Sequence, residues 1–317
     1  MPSVTLAESA KLTQNELVAG VIENIITVNR FYELLPFQGI DGNALAYNRE
    51  NALGDVQVLD VGDTITAKNP ATFTPVTSTL TSIIGDAEVN GLIQATRSGD
   101  GNDQKAIQVA SKAKSCGRKF QDMLINGTGI NNQFAGMLSL VDAGKVLVQY
   151  DANPADDDDG GLLTLDMLDA LIDLVTDKDG EVDYLMMNAR EIRAYNAILR
   201  TLGGASISDT ITLPSGAKVP SYRGIPIFRN DWLPINQTVG ASTDCSTILA
   251  GTLDDGSMSH GVAGLTAADA AGIVVEEVGV HQSRDETITR VKWYSGLALF
   301  NLNGLAALTG VTPTNPA

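Results

Sequence analysis

The residues available for chemistry are few. Histidine occurs only at His260 and His281, and cysteine only at Cys116 and Cys245. A zinc site needs three or four N, S or O ligands converging on one point. Two distant histidines, two isolated cysteines and scattered carboxylates do not form that spacing. There is no His-Glu-x-x-His, Cys-x-x-Cys, Gly-x-Ser-x-Gly or P-loop in the chain. Each histidine therefore reads as a surface or interface residue. Calcium loops require acids at positions one, three and five, glycine at six and glutamate at twelve. Registering Gly160 at position six puts Ala155 at one, and registering Gly180 there puts Val175 at one and Met186 at twelve, so both loops fail. Asn126-Gly127-Thr128-Gly129 could cradle an anion, but it follows a helix, where a C-cap is the better reading. Pairs of carboxylates abound in any acidic chain and do not by themselves select a glycosidase. The residues thus offer no catalytic, cofactor-binding or metal site.

The totals agree. The 317 residues suffice for one large or two modest domains, with net charge −17. That acidity argues against a sequence-specific reader of nucleic acid, which needs clustered Lys and Arg at phosphates. No apolar run is long enough to span a membrane, and Met1–Glu16 lacks the basic start and apolar core of a secretory signal. The sequons at Asn126 and Asn236 are expected to be accidental, and two cysteines suit a reducing compartment.

The elements that would position any site are clearer. Ile107, Ala110, Ala113, Phe120 and Leu124 recur at helical spacing and predict a long helix over 103–126, capped by Asp100 or Asn102 and ended by a left-handed Gly127. Its other face carries Lys105, Lys112 and Lys119 at heptad spacing, with Lys114 and Arg118 beside them, so the helix is net +3. Residues 44–51 and 71–84 are Thr-rich and β-branched and read as the strands of a long ribbon. Residues 39–85 are net −3 and hold few large apolar side chains. A ribbon of this kind is marginal alone and must lie on something.

Elsewhere, Thr13-Gln14-Asn15-Glu16 is a capping box before a stripe of Leu17, Val21, Ile25, Val28 and Tyr32. A strand pair is expected near 136–150, and Asp156–Asp159 before a helix N-terminus. Leu165, Leu168, Leu171, Ile172 and Val175 form an amphipathic helix, and Tyr184–Met187 a buried strand. Asn188 caps a further helix that Gly203 stops. Residues 219–228 read as a hairpin turning at Arg223-Gly224, and 246–251, 276–280 and 287–300 as strands. The strand–helix alternation marks an α/β layer.

Taken in order, these features resemble the major capsid protein of tailed bacteriophages, of the Hong Kong ninety-seven capsid fold. The resemblance rests on Leu35-Pro36-Phe37 with Tyr47-Asn48-Arg49-Glu50, on the helix ending in Leu124-Ile125-Asn126-Gly127, and on Met187-Asn188. It rests also on Tyr222-Arg223-Gly224-Ile225-Pro226-Ile227 with Asp231-Trp232-Leu233-Pro234, and on the run from Val291 to Leu299. It implies an α+β fold with an N-terminal arm and helix (1–38) and an extended β-hairpin loop (39–85). A peripheral domain (86–150 and 270–317) would hold the spine helix 101–126, and 151–269 would form an axial α/β domain.

The implied protein is no enzyme and needs no cofactor. It assembles as pentamers and hexamers into an icosahedral head around double-stranded DNA, in the host cytoplasm, and ends in the virion. The implied partners are further copies of itself, a scaffolding protein, a portal, a possible decoration protein and non-specifically contacted DNA, with no membrane. The chain starts almost at the capsid domain, so the scaffold is expected to be separate or a pro-segment removed. In such shells the loop of one subunit crosses its neighbour near the spine helix. That implies an interface of Arg49, Glu50, Asp60, Asp63 and Lys68 with Lys105, Lys112 and Lys119; the rival is that these helix lysines face packaged DNA. Some relatives cross-link Lys to Asn, and Lys68 is the only loop lysine, but no partner asparagine or catalytic acid matches. Two alternatives remain, an encapsulin-type bacterial nanocompartment shell and an acidic hydrolase.

Overall fold

In the computed structural model, residues 29–97, 103–151, 159–177, 180–201 and 210–313 are described. The chain enters through a 3-10 turn at Arg30–Glu33, whose first free N–H, on Phe31, binds the Asn29 carbonyl oxygen of its side chain at 3.1 Å. Strands β1 (Phe37–Ile40), β2 (Ala44–Ala52), β3 (Thr72–Thr79) and β4 (Thr81–Asn90) follow. Helix α1 (Gly91–Arg97) leads to the long α2 (Gln104–Asn126) and the single turn α3 (Met137–Leu140). Then come β5 (Val146–Val148), β6 (Gly161–Leu162), α4 (Leu165–Thr176), β7 (Tyr184–Met187) and α5 (Ala189–Thr201). The remainder is strand: β8 (Thr210–Thr212), β9 (Lys218–Tyr222), β10 (Ile225–Arg229), β11 (Gln237–Val239), β12 (Ser242–Gly251), β13 (Val262–Ala267), β14 (Val274–Val280), β15 (Glu286–Leu299) and β16 (Leu305–Thr312).

The strands form three sheets. In the first, β15 is central; β4 pairs with it at 286–295, β14 at 287–292 and β13 at 295–299, and β1 joins β13 in parallel. The second runs β5-β16-β12-β7-β10-β9-β8, with β6 on β16 and β11 on β12. Helices α4 and α5 bury Leu168, Leu171, Ile172, Val175, Ala194 and Tyr195 against it. Strand β7 is buried at all four residues, as a central strand covered on both faces must be. The third sheet is only β2 paired with β3.

Helix α2 lies on β4 and β15; it buries Gln104 at its start and, in its second half, Cys116, Phe120, Gln121 and Met123–Ile125. Phe120 sits among the rings of Trp293 (4.3 Å), Tyr32 (5.8 Å), Phe134 (5.9 Å) and Phe37 (6.0 Å). Phe31 continues this seam into the second sheet through Tyr184 (4.8 Å) and Phe228 (5.8 Å). One apolar cluster therefore joins both large sheets through the helix.

Several expectations change. The helix is capped by Asp103, whose carboxylate accepts from the N–H groups of Lys105 (3.0 Å) and Ala106 (3.4 Å); Asp100 and Asn102 lie outside the described residues. Gly127 does not take the left-handed conformation (φ −57°). Glycine is required there by crowding, since a Cβ would meet the Phe134 carbonyl oxygen at 2.3 Å and that of Met123 at 2.5 Å. Ala110 is exposed although it continues the apolar spacing. The run 71–84 is two strands, because at Leu80 the chain leaves β2 and pairs with β15 from Thr81 to Asn90. No breaker in the Thr-rich run marks that change of partner.

The expected strand pair at 136–150 is the turn α3 with the short β5. Helix α4 is capped by Thr164, whose hydroxyl oxygen accepts from Met167 N–H (3.3 Å), not by the acidic run. Asp159 instead accepts from Ala241 N–H, and Asp156–Asp158 fall outside the described residues. So do the capping box at 13–16, the stripe from Leu17 to Val28, and Gly203. The hairpin at 218–229 is as expected, with Arg223 (φ 52°) and Gly224 (φ 82°) forming the two-residue turn. The sheets also divide the chain differently from the expected domain ranges: β16 and β5 lie in the second sheet, and β13 in the first.

Two glycines of one helix test this packing. Gly127→Ala is expected to cost about 3 kcal/mol or more through backbone overlap. Gly117→Ala, at a mid-helix site with nothing within 4 Å of the added Cβ, is expected to stabilise by about 0.5–1 kcal/mol. Urea denaturation of the unassembled subunit reads both.

Candidate functional site

The most unusual surface is the arm built from β2, β3 and the connection between them. Not one residue from Asp41 to Thr77 is buried. Beyond the paired strands, residues 53–71 run extended around a turn in which Asp63 N–H binds Asp60 O at 3.2 Å. The two runs are tied by the backbone bond from Asp55 N–H to Asn69 O (3.1 Å) and by side chains such as Gln57, which accepts from the N–H of Thr66 (2.9 Å) and Ala67 (3.1 Å). Val56, Val58 and Val61 are 97, 101 and 101% exposed, and Leu53 and Ile65 are also exposed. Soluble surfaces carry isolated exposed apolar residues routinely; a contiguous unsupported set marks an interaction surface.

The eight charged residues expected at an interface fall into two groups. Glu50, Asp60, Asp63 and Lys68 lie exposed along the arm. Arg49, on the same arm, points its guanidinium onto its own chain, at the carbonyl oxygens of Leu299 and Phe300. On α2, Lys105 pairs with Glu277 of β14 and Lys119 with Asp122 one turn on (2.9 Å). Lys112 extends over β4 beside Gly85 and near Asp86. The basic face of the helix is thus partly matched by acids within the same subunit. The structure brings Lys105 and Lys112 to the first sheet and pairs Lys119 on its own helix; within a single chain none of the three is paired with Asp60 or Asp63.

Sequence reasoning missed two features. The valines at 56 and 58 share one side of an extended run, and their spacing of two in an unpaired segment was the available signal. The pair of Asp86 and Arg290, with bonds of 2.8 and 2.9 Å, had none, because only the β4–β15 register makes them neighbours. Arg290 holds the Asp86 carboxyl below its ordinary range by hydrogen bonding and charge, with a further contribution from Lys112.

Two other places were tested for chemistry. Asp254, Asp255 and His260 bring possible ligand atoms together, but Asp254 is already engaged by Gln38 Nε2 and the N–H groups of Gly256, Met258 and His260. Its carboxylate organises the 254–260 turn. A cleft of about 640 Å³ lies between α2 and β10. There Arg118 stacks on Trp232 at 5.2 Å, Trp232 N–H binds Gln121 at 3.2 Å and Arg229 pairs with Asp231 at 2.7 Å, so its polar groups serve one another. The cleft brings no nucleophile to a base; in the turn the hydroxyls of Ser257 and Ser259 lie 3.3 and 2.8 Å from Nδ1 of His260, on an exposed surface loop.

The Asp86–Arg290 pair predicts a pH dependence. Asp86 is depressed in the folded state, so its stabilisation is full above the ordinary carboxyl range and is lost as pH falls through the depressed value. Asp86→Asn is expected to cost about 1 kcal/mol at neutral pH for this partly exposed bidentate pair. The difference from wild type should shrink in thermal melts as pH falls below the ordinary carboxyl range and through the depressed value.

Comparison with known proteins places this geometry. The family model described as SU10 major capsid protein matches residues 61–223, just over half of the chain. No curated protein sequence matches. Among solved structures, the holo-SrpI encapsulin complex from Synechococcus elongatus PCC 7942 is similar with a TM-score of 0.72 at 18% identity, covering 98% of this chain and 97% of that one. The cyanophage A-1(L) capsid is similar at 0.63 and 13% identity, over 95% of this chain and 98% of that one. The structure titled Mycobacterium phage Adephagia is similar at 0.61 and 11% identity, over the full length of both chains. At these identities the likeness is one of fold.

Proposed function

Because the chain belongs to the SU10 major capsid protein family, a family of structural virion components and not of enzymes, we propose that it closes as pentamers and hexamers into an icosahedral head around double-stranded DNA. The observation that carries this reading is the arm, in which no residue from 41 to 77 is fully buried and the valines at 56, 58 and 61 are bare. A second copy of the chain supplies the missing surface. The first sheet with α2 then serves as the peripheral domain and the second sheet with α4 and α5 as the axial domain. The boundaries follow the sheets: β4, α2 and β13 to β15 are peripheral, while β5 to β12 and β16 are axial.

The arm of one subunit lies across the first sheet of its neighbour, with Asp60, Asp63 and Glu50 toward the basic face of α2 that holds Lys105, Lys112 and Lys119. Exposed ion pairs contribute only about 0–1 kcal/mol each, but a closed symmetric shell repeats the same small term at every equivalent contact. A scaffolding protein, a portal and non-specific contact with packaged DNA complete the set of partners. A second reading, a shell around protein cargo, is favoured by the higher structural similarity to the encapsulin complex. Purified particles separate the two readings: nuclease-protected DNA supports the head, and a co-purifying cargo protein without DNA supports the compartment.

Replacing residues 53–71 by a short Gly-Ser linker is expected to leave the cooperative thermal transition of the subunit within a few degrees of wild type, because that segment contributes nothing to the core. Closed shells should be absent by electron microscopy. Shells of normal size from this variant would reject the role given to the arm.

Charge reversal addresses the arm–helix contact. Lys112→Glu with Lys119→Glu should slow assembly of empty shells at low salt. Asp60→Lys with Asp63→Lys should partly restore it, and added salt should blunt both effects by screening. If the lysines face DNA instead, empty shells should form at the normal rate and only packaging should suffer.

A further inference from the structure

The direction in which the arm leaves the body is set by a small polar seat at its base. At Ser295 the first residue of β4, Thr81, is still paired with β15. One residue later the strands separate. Gly296 allows this, because a Cβ there would lie 2.8 Å from the Thr79 carbonyl oxygen. Beyond that point β15 loses its β4 partner, and the backbone of Leu299 and Phe300 is left beside the departing arm.

Two side chains from the other strand of the arm occupy this place. Tyr47 donates its hydroxyl to the Leu299 carbonyl oxygen at 2.8 Å. Arg49 donates Nη2 to the same oxygen at 2.5 Å and Nε to the Phe300 carbonyl oxygen at 3.1 Å. Tyr47 also meets the Phe300 ring edge-on at 5.2 Å, and the Arg49 guanidinium lies 5.9 Å from the Tyr47 ring. Leu45, Tyr47 and Leu80 pack on the cluster of Ile40, Ala298 and Phe300 beneath. Past Arg49 the arm is exposed, so its angle to the body is decided at this seat.

We infer that Tyr47 and Arg49 are positioning residues which lock the arm at one angle to the first sheet, and that this angle selects the curvature, and hence the diameter, of the assembled shell. The inference rests on the shell reading above. The planar guanidinium spans two successive carbonyl groups from one rigid fork, which fixes a direction; a lysine ammonium at the end of a flexible stem reaches them without fixing one. Because the seat lies some residues before the exposed tip, a small change of angle there moves the tip far enough to meet its neighbour in a different place.

The test compares particles of wild type, Arg49→Ala, Arg49→Lys and Tyr47→Phe by electron microscopy, alongside thermal melts of the unassembled subunits. Removing the fork is expected to shift the ratio of seated to released arm roughly tenfold. Arg49→Ala should then raise the share of mis-sized or open particles several-fold, Arg49→Lys should restore the diameter only in part, and Tyr47→Phe should broaden it mildly. Melting midpoints should stay close to wild type, since Arg49 lies outside the core. Wild-type diameter distributions for both Arg49→Ala and Tyr47→Phe would overturn the inference. So would a broadened distribution that follows each variant's loss of melting temperature, because that is what a merely structural contact produces. Failure of the wild type itself to form shells would instead overturn the shell reading.

Discussion

The fold depends on one aromatic seam. Phe120, near the end of the long helix, is surrounded by Tyr32 and Phe37 from the chain entry, Phe134 from the turn after the helix and Trp293 from β15. Phe31 carries the contact to Tyr184 and Phe228 of the second sheet. In a chain with only 5% aromatic residues, so many rings at one junction concentrate much of its large apolar surface where the two sheets and the helix meet. Truncating such a ring typically costs about 3–5 kcal/mol, so this junction holds the sheets as one body without help from the arm.

That division of labour explains why the arm can be so poorly supported. Its base is tied by Leu45, Tyr47 and Leu80 to the third apolar cluster, and everything beyond is left to solvent. A subunit that must be soluble before assembly and sticky during it gains from keeping such a surface on a thin ribbon. The acidic net charge of −17 works in the same direction, since like-charged subunits repel at long range while short-range contacts still form. The basic face of the helix moderates this locally, and its pairing of Lys105 with Glu277 shows that some of its charge is spent inside the subunit. Any pairing with a neighbour's arm competes with those internal partners, which makes it easier to form reversibly.

The same fold appears in an encapsulin complex and in a cyanophage capsid at 13–18% identity. Sequence can drift that far because shell building needs surfaces and angles more than particular reactive atoms. The cysteines at 116 and 245 are free thiols buried in the fold, and the histidines at 260 and 281 meet neighbouring serines at the surface.

The sequence by itself determined the local elements whose periodicity is complete within one segment: the helix over 104–126, the amphipathic helix at 165–176, the buried strand 184–187 and the turn at Arg223-Gly224. It also determined that the chain carries none of the common metal and nucleophile motifs, because the spacing rules for such motifs are local. Tertiary structure decided whatever depends on a partner strand. The Thr-rich run after residue 71 changes partner at Leu80 with no breaker to mark it, and β16 returns to the second sheet although it directly follows the long strand of the first. Asp86 finds Arg290 only through register, and Arg49, which reads as an outward-facing charge on a polar ribbon, is turned inward by two carbonyl groups exposed where β15 loses its neighbour. Hydrogen-bonding needs of a backbone far away in the chain are invisible in a window of sequence, and they are what fixed the base of the arm.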